Sequence, residues 1–305
     1  MRYSLKNSLR KLLTYCLVLG IMILIIFAFI EVISRNSRAN ENLLEYIGAA
    51  NTKPKAIFIG SSRIQASIDP VLLKQQLPQY NFYNLGLSGS SILYNCHLAE
   101  KLIPTIPSGS LVFVELSDFR LSPSGYFYHF NTHKDLYEIT KKRIALSVRF
   151  NELESVFFSL IDVRAQLKAS LSSSKAFLKE VGFTKWKTTY TGKENTFINS
   201  ADVNAQGKPL SALQNRYLRI LNELIAEGKK SHVKIIFMLP LNIKGAEKKQ
   251  ELLPIFHAIA ESNKWTYTSD FIRKMSFKKY QGDIIHLNET GAKLYSTELA
   301  REIRK

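Results

Sequence analysis

Short apolar runs punctuate the chain, and each is followed by a stretch whose apolar positions recur at helical spacing. "KAIFIG" (55–60) reads as a buried strand that stops at a glycine. "DPVLLKQQL" (69–77) opens with an Asp cap and a Pro at the first helical position, so it predicts a short helix. "YNFYNLG" (80–86) and "SLVFVELS" (110–117) read as strands, separated by a helix over "SILYNCHLAEKLI" (91–103). Later, "LQNRYLRILNELIAEGKK" (213–230) has the stripe of an amphipathic helix and feeds a fourth strand, "VKIIFMLPL" (233–241). A helix over 247–263, kinked at Pro254, a fifth and shorter strand "WTYTSDF" (265–271) and a closing helix from 289 complete the series. Strands alternating with helices of this length imply right-handed crossovers and an α/β domain. About five parallel strands would be covered on both faces in three layers. Such sheets place their sites at the carboxyl ends of the strands.

Two regions depart from this rhythm. Residues 120–212 are too many for a plain connection, so an inserted, mainly helical subdomain is expected there, emerging near the rim of the site. At the other end, 12–30 holds 19 uncharged residues, "LLTYCLVLGIMILIIFAFI". At ~1.5 Å per residue this spans ~30 Å of hydrocarbon. It is longer than the apolar core of a cleavable signal, and no A-x-A pattern follows it. The expectation is therefore an uncleaved transmembrane helix over 12–32, preceded by a basic cytoplasmic tail (1–11) and followed by a polar stalk (33–53). The α/β domain, with its insertion, would fill 54–305.

Charge adds an orientation and a surface. The formal net charge is +17, and Arg2, Lys6, Arg10 and Lys11 supply four of those charges ahead of the apolar stretch. They favour an N-terminus inside and a domain outside the inner membrane of a bacterium, single-pass, although Arg35 and Arg38 flank the far end. About +13 remains on the rest of the chain by subtraction. That charge suits anionic headgroups or an anionic envelope polymer, whereas the spacing of a zinc finger or a single-strand platform is absent, so nucleic acid is not expected. Cys16 lies in the apolar stretch and Cys96 in the domain, which leaves no disulfide framework.

Three stretches could carry chemistry. Gly60-Ser61-Ser62 ends the first strand, where a serine hydroxyl would stand at the top of the sheet; taken alone such a triplet is more often an ordinary turn. "NLGLSGSS" (84–91) follows the second strand, and its glycines permit the close approach of a backbone N–H, at Gly89, to a developing oxyanion. "GDIIHLNETG" (282–291) puts Asp283 three residues before His286. A serine nucleophile needs a base in reach and an acid that fixes the imidazole tautomer, and one D-x-x-H turn can supply both. No phosphate-cradling glycine motif is present, and no cofactor is expected. His129 and His133 stand four apart but lack a third ligand, so no metal is expected either. His97, His232 and His257 read as packing or surface residues.

Taken together, in this order, the three stretches resemble the SGNH/GDSL hydrolase superfamily over about 54–118 and 213–303. The resemblance implies a flavodoxin-like sheet, Ser62 as nucleophile, the N–H groups of Ser62 and Gly89 as oxyanion donors, His286 as base and Asp283 as its orienting acid. Ser61 replaces the usual Asp of the first block. The third block, commonly G-x-N-D, is "ELSDF" (115–119), with Ser117 in the Asn position and Asp118 in that of the Asp. Arg63 and Asn95 are candidates to replace the lost donor, and these two with Ser117 and Asp118 are candidates to bind substrate; Arg63 could equally pair with a surface carboxylate. With its anchor, the chain is similar to the membrane-tethered members that work beside membrane-bound O-acyltransferases, such as the teichoic-acid D-alanyl transfer and alginate acetylation proteins. That implies a serine esterase or O-acyltransferase acting on an envelope glycan or lipid-linked polymer. The competing reading is a decayed module that binds glycan or scaffolds the acyltransferase.

Overall fold

The computed structural model describes residues 10–22, 52–117, 182–192, 209–243 and 246–304, together with residues 24, 25, 28, 47, 142 and 198. Five parallel strands form one sheet in the order β2-β1-β3-β4-β5: β1 (Lys55–Gly60), β2 (Asn81–Gly86), β3 (Leu111–Glu115), β4 (Lys234–Met238) and β5 (Lys264–Trp265). This is the α/β arrangement that the alternation predicts, and it is consistent with a flavodoxin-like fold. The chain moves from β1 to β2 in one direction across the sheet and from β2 through β5 in the other. Right-handed crossovers then require the intervening helices to lie on opposite faces.

The helices obey that rule. On one side α1 (Ser62–Ser67) and α2 (Pro70–Gln76) pack beneath the closing helix α7 (Glu289–Arg304). On the other, α3 (Ile92–Leu102), α4 (Ala212–Lys230) and α5 (Ala246–Ala258) pack in series. Between them the strands are buried on both faces, with Ile57, Phe58, Ile59, Val112, Val114 and Phe237 at zero exposure. Phe58 stacks on Phe113 with ring centroids 4.7 Å apart, tying the two central strands through their side chains as well as their ladders.

Local chemistry sets the helix boundaries. Asp69 accepts from Val71 and Leu72 N–H ahead of Pro70, as its sequence position predicts. Gln214 serves two helices: its Oε1 takes the Ser211 N–H in a capping box. Its Nε2 donates to Gln250 and Glu251 carbonyls on α5. Pro254 has no N–H for the Gln250 carbonyl, so the helix runs through the proline with its orphaned acceptor satisfied from outside.

The fifth strand corrects its expected range. Only Lys264 and Trp265 pair with β4, and 269–271, expected as strand, instead open a helix, α6 (Ser269–Met275). Thr268 accepts from the Phe271 N–H, so the cap chemistry of "TSDF" overrides its β-rich side chains. The helix expected over 247–263 stops at Ala258, and Glu261–Asn263 form a single 3₁₀ turn.

The N-terminal residues 10–22 are helical, with Leu12, Leu13, Leu17 and Leu19 more than half exposed. No helix among the described residues is long and apolar enough to cross a membrane. Most of the rest of the expected span, of the stalk and of the insertion lies outside the described residues. So do Asp118, His129 and His133.

Candidate active site

The order of the sheet reverses between β1 and β3, and the crevice at their carboxyl ends is where such folds bind ligands. Ser61 caps α1, its Oγ accepting from Arg63 N–H at 3.3 Å, which makes Ser62 the first residue of the helix. At that position the Ser62 N–H has no intrahelical acceptor. Buried Asn84 on β2 donates to the Ile64 and Ile68 carbonyls and so pins the far end of α1 to the sheet.

Asp283 and His286 come from the turn ahead of α7. Gln281 and Leu287 form an isolated antiparallel bridge, and Gly282 N–H donates to the His286 carbonyl at 2.8 Å. Within this loop Asp283 Oδ1 accepts from the Ile285 and His286 N–H groups, both at 2.8 Å. Asn288 closes it by donating to the Lys279 and Gln281 carbonyls. Asp283 Oδ2 is then 2.7 Å from His286 Nδ1, and His286 Nε2 is 2.8 Å from Ser62 Oγ. Residues 224 positions apart meet at hydrogen-bond distance.

Partial burial opposes ionisation of Asp283. The hydrogen bond from His286 and the two backbone N–H groups outweigh it, and the carboxyl lies below its usual range. A carboxylate on Nδ1 fixes the tautomer that leaves Nε2 free to take a proton from the serine. His286 itself is buried, and its ring stacks on Trp186 with centroids 4.5 Å apart at 19°.

Beneath Ser62 lies a buried ion pair. Glu115, at the end of β3 and fully buried, accepts from Ser61 N–H at 2.5 Å and from Arg63 Nε at 2.9 Å. Arg63 Nε also reaches Ser61 Oγ, and its Nη1 donates to the Asn242 carbonyl at 3.1 Å. Gly60 makes room for this: a Cβ there would stand 2.7 Å from Glu115 Oε2. Arg63 thus pairs with a carboxylate, as one of its expected roles has it, but inside the protein rather than on the surface.

The oxyanion candidates divide. Gly89 takes a left-handed φ of 72°, in a turn tied to the end of β1 by the Leu87 N–H bond to the Gly60 carbonyl. Its own N–H meets no acceptor among the described residues. Asn95 donates Nδ2 to the Glu115 carbonyl at 3.0 Å and to Ser117 Oγ at 3.2 Å. Because the first of these can only accept, the amide orientation is set, and the atom left without a partner is the acceptor Oδ1. Asn95 therefore offers no spare donor. Ser117 accepts from Asn95 and keeps its own hydroxyl hydrogen to give.

Two residues that shape the site, Glu115 and Trp186, are not among the candidates that the sequence offers. A lone carboxylate ending an apolar strand at the carboxyl edge was the available signal for Glu115; nothing local signals a stacking partner 100 residues from its histidine. Among the described residues no group of three His, Cys, Asp or Glu side chains could hold a metal ion. Compared with protein-family models, with curated proteins and with solved structures, the chain matches none of them.

Proposed function

We propose that the chain is a serine esterase or O-acyltransferase of the SGNH type. The observation that supports it most is the continuous relay Asp283–His286–Ser62, with spacings of 2.7 and 2.8 Å. Ser62 Oγ attacks the carbonyl carbon of an ester while His286 Nε2 takes the hydroxyl proton and Asp283 stabilises the resulting imidazolium. The N–H groups of Ser62 and Gly89, with the Ser117 hydroxyl, receive the oxyanion. Collapse expels the alcohol with the proton from His286 and leaves an acyl-Ser62. An acceptor hydroxyl, or water, then attacks that ester, giving its proton back through His286.

The setting follows from charge and the N-terminus. A net-basic domain favours a polyanionic acceptor such as an envelope glycan or lipid-linked polymer. The uncharged stretch 12–30, whose described part is helical and exposed, supports a membrane anchor with the domain on the outer side of a bacterial inner membrane, where a membrane-bound O-acyltransferase could hand on the acyl group. The test is labelling of the full-length chain in detergent with a fluorophosphonate, followed by peptide mapping. An adduct on Ser62 that is lost in His286→Ala is the expected result. A folded chain that takes no label would return Gly60-Ser61-Ser62 to a structural turn and favour the scaffold reading.

A further inference from the structure

The segment 182–192 lies across the turn that carries the acid and base and is tied down on several sides. Thr184 N–H donates to the Gln65 carbonyl on α1 at 3.0 Å, and the Trp186 carbonyl accepts from Glu289 N–H at 2.9 Å. Thr188 Oγ1 donates to the Gly282 carbonyl at 3.1 Å, and Tyr190 N–H to the Gln281 carbonyl at 2.9 Å. The strap therefore bridges the nucleophile's helix and the His286 turn. Between these ties it lays the Trp186 indole on the imidazole, nearly parallel. Gly282 is the seat: a Cβ there would be 3.1 Å from Trp186 Cβ, so a side chain at this position would crowd the indole.

We propose that Trp186 is a positioning residue for His286, and that the strap's role at the site is to deliver it. Two hydrogen bonds fix the imidazole while Ser62 holds its proton. Once that proton has moved, the ring must stay aligned to return it to the leaving alcohol, and the indole face then limits its tilt. The same face lies against the ring as it becomes a cation, the arrangement in which an aromatic quadrupole attracts positive charge. It also covers one side of the base from water. The proposal rests on the esterase reading for its purpose, but the contact itself can be tested without turnover.

The experiment uses the indole as its own reporter. The chain has 2 tryptophans, and the other, Trp265, is buried against Tyr267, Phe271 and Tyr295. An imidazolium in contact quenches indole emission, so emission of the full-length chain in detergent is followed against pH. Among the described residues, charged groups around the stack include Asp283 on the turn, Lys185 on the strap and Lys293 on α7, both paired with Glu289, and Arg63 with Glu115 beneath Ser62. The wild-type chain should show a quenching step that both Trp186→Phe and His286→Asn lose. Absence of the step in the wild type, or its persistence in Trp186→Phe, overturns the proposal. In the second arm, Trp186→Ala should slow fluorophosphonate labelling about tenfold, with Trp186→Phe restoring most of the rate. Labelling of Trp186→Ala at the wild-type rate overturns it too. If the wild type takes no label, the esterase reading fails, and the emission titration alone decides whether Trp186 governs His286.

Discussion

The two halves of the relay are held by different means. Ser62 stands on a foundation inside the core: the end of β1, a fully buried Glu115, and Arg63 joined to it at 2.9 Å. His286 and Asp283 sit on a turn closed by its own backbone bonds and by a strap; His286 is buried, and about a third of the Asp283 side chain is exposed. Ser62 is thus tied to the sheet itself, whereas His286 and Asp283 are held by one turn and the strap across it.

The largest effect should expose that contrast. Ser62→Ala and His286→Asn should each reduce labelling or ester hydrolysis by about 10³–10⁴-fold or more while leaving thermal unfolding within about 1 kcal/mol of the wild type. Glu115→Ala should do the reverse of His286→Asn in its balance. It removes one partner of a buried ion pair and the acceptor for Ser61 N–H, at a cost of about 3 kcal/mol in denaturant unfolding, with activity falling because Ser62 is no longer held. Equal stability of Glu115→Ala and wild type would show that the foundation does not bear on the fold.

A smaller effect sharpens the other half. The native carboxyl of Asp283 lies below its ordinary value of 3.8, so its contribution to stability is present above that value and is lost as pH falls through the native one. Melting temperatures of the wild type and Asp283→Asn should therefore converge as pH drops below about 4. Their separation at neutral pH should be modest, because the group is partly solvated. Parallel curves down to low pH would mean that the ionised carboxylate does nothing for the turn.

Much of the scaffold was legible because its signals are local. Apolar runs ended by glycine, an Asp-Pro cap and one amphipathic stripe are enough to lay out a parallel α/β domain, and the D-x-x-H turn closes on itself within four residues. The fifth strand was misjudged where two local signals conflict, since the hydroxyl cap of Thr268 decides for helix in a stretch with strand-like side chains. The oxyanion side was legible only in part. Gly89 has the backbone its position suggested, but the commitment of Asn95 to the Glu115 carbonyl depends on a contact between α3 and β3.

By itself, then, the sequence determined the alternation of elements, the pairing of Asp283 with His286 and the candidacy of Ser62. Only the tertiary structure decided that Ser62 and His286 meet, that Glu115 lies under Ser62 and that Trp186 covers His286. The physical reason is reach. Periodicity, caps and short turns act over a few residues and are written in the order of the chain. Contacts across 54, 100 and 224 positions exist only once the sheet's strand order has brought the carboxyl ends of β1 and β3 and the turn before α7 to one edge.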